Sequence, residues 1–115
     1  LGNAEGTYGM AKCYYFGEGV DQDIEKAVEL LYEAVENGSD DAPALLAEYY
    51  YDTKSLGDSR FAESYYWGTR AMNEERYKDD KKFIKMMKKV RLKSSDETAR
   101  EILGRINEEV KEGKY

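Results

Sequence analysis

Histidine is missing from the chain, and cysteine and proline occur once each in 115 residues. Without an imidazole there is no histidine-based metal site, no Ser-His-Asp triad and no Cys-His pair. A single cysteine allows no internal disulfide. No apolar run approaches the roughly 20 residues a membrane-spanning helix needs, and no cleavable leader is visible. These absences favour the cytoplasm. The chain opens on Leu1 rather than Met, so it reads as a fragment of something longer.

What is present suits helices. Apolar residues make up 41% of the chain, enough for a core, and there are eleven tyrosines. Tyrosine joins a large apolar body to a polar tip, so it serves half-buried helix faces and binding surfaces alike. The net charge is −6, but it is unevenly spread. Residues 76–93 hold nine basic and two acidic side chains, whereas residues 1–75 hold five and sixteen.

The stretch from Ala4 to Gly38 organises the rest. At 100° per residue, Gly6, Met10, Ala11, Cys13 and Tyr14 share one side of a helix. Glu5, Tyr8, Lys12 and Tyr15 share the other. Gly17 and Gly19 supply a backbone free to take positive φ, which ends that helix and reverses the chain. Asp23 is placed to cap the next helix. That helix carries Ile24, Ala27, Val28, Leu31, Ala34 and Val35 at spacings of three and four. Gly38 then sits where a closing glycine belongs.

The run Ala4-x-Gly6-x-x-x-Met10-Ala11-x-x-Tyr14-x-x-Gly17-x-Gly19-Val20-x-x-Asp23-x-x-Lys26-Ala27, followed by Ala34 and Gly38, resembles the Sel-one-like repeat. That family is related to the tetratricopeptide repeats and has about 36 residues per helical hairpin. The resemblance implies an all-α solenoid of stacked helix-turn-helix repeats that binds other proteins, with no catalytic residue and no cofactor to carry over. Some secreted members pair cysteines within each repeat, which Cys13 alone cannot do. On the packed side of its helix, Cys13 reads as a small buried hydrophobe.

Beyond Gly38 the pattern loosens. Residues 1–3 read as the end of a preceding repeat, because Gly2 stands one repeat length before Gly38. Residues 4–38 are the complete repeat, residues 39–75 a divergent second one, and residues 76–115 a degenerate hairpin that caps the stack. In the second repeat, Leu46, Ala47 and Tyr50 match Met10, Ala11 and Tyr14. Thr53 and Ser55 replace Gly17 and Gly19, Leu56 stands in for Val20, and Ser59 for the Asp23 cap. Its second helix carries Phe61, Ser64, Tyr65, Trp67, Arg70 and Ala71, and Asn73 is the one candidate for a left-handed closing turn. The basic stretch still forms an amphipathic helix, with Phe83, Ile84, Met87 and Val90 in a stripe. Ser94-Ser95-Asp96-Glu97 reads as a capping box before a last helix with Ala99, Ile102, Leu103, Ile106 and Val110 on one face. Gly113 closes that helix.

No pattern points to catalysis. The carboxylates fall on helix exteriors and caps rather than in a pocket. Glu18, Asp21, Asp23 and Glu25 lack the spacing of a calcium loop, so no metal is expected. The basic helix of residues 76–93 could meet nucleic acid or lipid, but it lacks the interleaved aromatics of single-strand binders. It reads as a solvated face balancing an acidic body. The expected role is that of a protein-binding scaffold or adaptor, with a protein or peptide partner. The main alternative is an accessory structural segment of a larger enzyme or regulator. The candidate partner surface is Tyr8, Lys12, Tyr15, Glu48 and Tyr51, on the inner face of the solenoid. Packing positions are Met10, Ala11, Tyr14, Ala27, Ala34, Trp67 and Ala71, with Leu31, Leu46, Ile102 and Ile106 also expected in the core.

Overall fold

The structure, a computed structural model, describes residues 3–114. Leu1 and Gly2, expected to end a preceding hairpin, lie outside the described residues. Seven α-helices and one short 3-10 turn make up the described chain, with no strand among them. The chain divides into two compact units, residues 1–45 and 46–115.

In the first unit, α1 (Ala4–Phe16) is capped by Asn3, whose Oδ1 accepts from the Gly6 amide at 3.0 Å. Its end is set by Gly17 at φ 70, which turns the Glu18 amide back onto the Cys13 carbonyl at 2.9 Å. A Cβ on Gly17 would also press on Gln22 Cβ at 3.3 Å. Gly19 follows at φ 76. The reversed chain then satisfies the last open carbonyls of α1, since the Asp23 amide donates to Tyr14 O and Gln22 Nε2 to Tyr15 O. Asp23 in turn caps α2 (Ile24–Glu36), its Oδ1 accepting from the Lys26 amide at 3.1 Å. Gly38, at φ 93, closes α2 in a Schellman motif: Gly38 donates to Val35 O and Ser39 to Ala34 O. The turn chemistry expected from Gly17, Gly19, Asp23 and Gly38 is all present.

The seam between α1 and α2 is lined by small residues. Ala11, Ala27, Leu31 and Ala34 are fully buried. Met10 was expected beside them and is instead 52% exposed. Apolar and polar residues are spread around α1, so its wheel points only weakly, and Met10 turns 100° off the Ala11 direction. Cys13 is likewise half-buried rather than buried.

Ser39 Oγ accepts from the Asp41 and Ala42 amides at the start of α3 (Ala42–Asp52), and Pro43 sits in its first turn. This helix crosses from the first unit into the second. Its second-unit portion ends when Thr53 Oγ1 donates to Tyr49 O at 2.7 Å. A 3-10 turn over Lys54–Leu56 follows, and Gly57 takes φ 82. The backbone amides of Arg60, Phe61 and Ala62 bond three residues back, to Gly57, Asp58 and Ser59. Thus α4 (Arg60–Ala71) begins as a tightened 3-10 turn. Ser59 makes no side-chain cap, contrary to expectation, because its backbone is already helical at φ −61, ψ −19 and an N-cap needs extended angles. Nor does Asn73 turn left-handed, since no residue other than glycine has positive φ among those described. The chain leaves α4 by three-residue-back bonds from Asn73 and Glu74.

The basic stretch is broken. A single turn, α5 (Glu75–Lys78), precedes α6 (Lys81–Lys93), and Asp80 caps α6 through Oδ1 to the Phe83 amide at 3.0 Å. Phe83 and Val90 are buried while Lys81, Lys82, Lys85, Lys88 and Lys89 face outward, as the stripe required. For α7 (Asp96–Lys111) the cap is Ser95, paired with the hydroxyl of Thr98 at 2.9 Å. The expected Ser94–Glu97 box does not form; Ser94 Oγ donates to Val90 O instead.

Both α6 and α7 pack on α4. Ala99, Ile102 and Ile106 are buried on α7, with Leu103 and Val110 at the partly exposed edges of the stripe. On α4, Phe61, Ser64, Tyr66, Trp67, Gly68 and Ala71 are buried. Ser64 Oγ donates to Ala47 O on α3 at 2.8 Å. Gly68 lies directly against the Met87 side chain of α6, where any Cβ would collide. Tyr66 OH donates to Glu109 Oε1 of α7 at 2.7 Å.

Candidate partner-binding surface

The predicted surface residues fall into two groups, one in each unit. On α1, Tyr8 and Lys12 are one helical turn apart, and the Lys12 ammonium lies 5.3 Å from the Tyr8 ring centroid. The cation is held over the ring face, an attraction worth about 0.5–1 kcal/mol at an exposed site. Tyr15 meets Phe16 edge-on, with centroids 4.9 Å apart, and Phe16 is 54% exposed. Tyr14, by contrast, lies under the Lys26 ammonium of α2 at 5.5 Å. Ala11, the buried residue of α1, comes three residues after Tyr8 and four before Tyr15. These half-buried tyrosines therefore flank the α2 seam rather than pointing away from it as expected, and Lys12 and Phe16 are exposed beside them.

In the second unit, Glu48 and Tyr51 lie on α3 but have different surroundings. Glu48 is half-buried, and burial followed by the nearby Asp52 pushes its carboxyl above the ordinary glutamate value. Lys82 at the start of α6 pulls it back down, and Asp80 adds a smaller upward push. Tyr51 packs edge-on against Phe61 of α4, with centroids 6.5 Å apart.

Among the structural positions, Ala11, Ala27, Ala34, Trp67 and Ala71 are buried as expected. Three features went unread in the sequence. Asp80 caps α6, and a carboxylate three residues before an apolar run was a usable signal. Gly68 forms a small-residue stripe with Ser64 and Ala71, spaced four and three apart. Gly57 supplies the positive φ of the second turn from a position that no counterpart in the first turn marks. Among the described residues no cluster of histidine, cysteine or acidic side chains is placed to hold a metal, and no helix is long and apolar enough to cross a membrane.

No solved structure matches the chain. Sel1 repeats generally mediate protein–protein interaction and are non-catalytic, and the repeat implies a helical-repeat solenoid. Residues 4–39, the helical hairpin with its two left-handed glycines and Asp23 cap, match the family described as Sel1 repeat.

Proposed function

We propose that the chain is a non-catalytic scaffold or adaptor, and that its partner lies along the face of α1 formed by Tyr8, Lys12 and Tyr15. Glu48 and Tyr51, in the second unit, stand one repeat length after Lys12 and Tyr15 and form the equivalent surface there. The observation that carries this reading is the arrangement on α1. Half-buried tyrosine rings border the alanine-lined seam, with the exposed Lys12 fixed over Tyr8 at 5.3 Å. Rigid aromatic side chains lose little entropy on binding, and mixed charges beside them set the register of an extended peptide or a partner helix rather than its affinity.

The test is site-specific photocrosslinking. A photoreactive residue at position 8 or 15 should capture a protein that the same probe at position 112 does not. The captured protein should then bind the purified chain directly. Changing Tyr8 and Tyr15 together to Ser should weaken that binding by about tenfold or more, as loss of two aromatic anchors implies. Helix content should be retained, since both side chains are only half-buried. Unaltered affinity in the double variant would place the partner elsewhere.

A further inference from the structure

The second unit holds a cavity of about 510 Å³ that the Sel1 repeat does not account for. Its apolar lining is Tyr51, Phe61 and Leu92. Leu92 is 85% exposed, the most exposed large apolar side chain of the chain's described residues. The polar lining is cationic: Arg60, Lys54, Lys89 and Lys93, against one carboxylate, Asp52. Four elements contribute, namely the ends of α3 and α6, the 3-10 turn and the start of α4.

Arg60 is built into this cavity rather than laid on its surface. Its side chain is only 10% exposed. Nε donates to Tyr51 O at 3.4 Å and Nη1 to Gly57 O at 3.0 Å. The guanidinium also stacks on the Phe61 ring at 4.1 Å. These contacts fix the fork in place and leave Nη2 to donate. Asp58 Oδ1 lies 3.8 Å from Nη1 but is fully exposed, so it neutralises little of the charge. Lys89 and Lys93 are one turn apart on α6 and share a face.

We infer that this cavity binds an acidic peptide segment, with one aromatic or large aliphatic side chain against Tyr51 and Leu92 and flanking carboxylates on Arg60, Lys89 and Lys93. A short segment fits the charge distribution better than a long polyanion. Four basic side chains converge on the cavity against the single carboxylate of Asp52 in its lining. At physiological salt a field reaches about 8 Å, so a few carboxylates feel the pocket alone. An extended nucleic acid or a membrane would also meet the exposed carboxylates of Asp52 and Asp58 at the rim. The site belongs to the second unit and does not rest on the α1 reading.

The test is fluorescence polarisation with a fluorescein-labelled peptide of alternating Glu blocks around one central Phe. The chain should bind it saturably at low salt, and more weakly as salt rises. Replacing every Glu of the peptide by Gln, or the Phe by Ala, should weaken binding by about tenfold or more. So should the double change Lys89→Glu and Lys93→Glu, which alters exposed side chains and should leave the circular dichroism spectrum intact. The Tyr8→Ser, Tyr15→Ser variant should bind the peptide as the parent does. No binding at low salt would overturn the proposal, as would equal binding by the charge-reversed variant. It would equally fail if single-stranded RNA or phosphatidylserine vesicles bound through these lysines while the peptide did not.

Discussion

The two units use the same helical material and hold it together differently. In the first, close approach is achieved with alanines, and the connection is made by two left-handed glycines and a carboxylate cap. There the side chains of Asn3, Gln22, Asp23 and Ser39 form hydrogen bonds that serve helix ends or turns. In the second, the core is built from large rings, Phe61, Tyr66, Trp67 and Phe83. Side chains there bond from one helix to another, as Ser64 does to Ala47 and Tyr66 to Glu109. A repeat made of small residues and special backbone angles can be written as a short motif. A core made of interlocking large side chains cannot, because many combinations of ring and partner fill the same space.

The largest expected effect tests this contrast at its centre. Trp67 is 7% exposed, meets the Tyr66 ring edge-on at 4.9 Å and lies 5.1 Å below the Arg70 guanidinium. Trp67→Ala should cost about 3–5 kcal/mol, the usual loss for a buried indole. Met10→Ala, in the first unit, should stay within about 0.5 kcal/mol, because Met10 is exposed. Urea titration followed by far-ultraviolet circular dichroism measures both. A Met10 loss comparable to that of Trp67 would mean that the α1 face is covered and that the small-residue seam is not the whole core.

A smaller effect separates the two turns. Asp23→Ala removes the acceptor for the Lys26 amide and should cost about 1 kcal/mol. Hydrogen exchange at the first-turn amides of α2 should speed up roughly fivefold, the equivalent of that energy. Ser59→Ala should leave the first turn of α4 unchanged, since those amides are held by backbone carbonyls. Matching acceleration at both sites would erase the distinction between a capped turn and a 3-10 turn.

Legibility followed the same division. Gly17, Gly19, Asp23 and Gly38 could be read outright, because each residue type answers a backbone demand that few others can meet. Ala27, Leu31 and Ala34 followed from spacing, and so did Phe83 and Val90. Met10 did not, because α1 carries tyrosines on several sides and periodicity lost its direction. Ser59 failed as a cap because Gly57, two residues earlier, had already set the path of the chain. Arg60 and the cavity around it were out of reach of spacing altogether. They depend on which carbonyls fall near a guanidinium once four separate segments have come together.

The smallest effect concerns Glu48, which separates a surface carboxylate from a buried one. Glu48 is half-buried, and its carboxyl is raised by burial first and by Asp52 next, with Asp80 adding and Lys82 opposing. The folded chain therefore holds a proton on Glu48 more tightly than the unfolded chain does. Its stabilising contribution is complete below the ordinary glutamate value and is lost as pH rises through the raised folded value. At neutral pH the charged side chain is thus a liability to the second unit. Glu48→Gln keeps the shape, removes the charge and should raise the urea midpoint at pH 7. The gain should shrink as pH falls and vanish by about pH 4, where the native side chain is itself largely protonated. Other carboxylates titrate over the same range, but they do so in parent and variant alike and cancel in the difference. A variant that is less stable at pH 7 would show that Lys82 outweighs burial, and that Glu48 belongs to an ion pair rather than to a partly desolvated face.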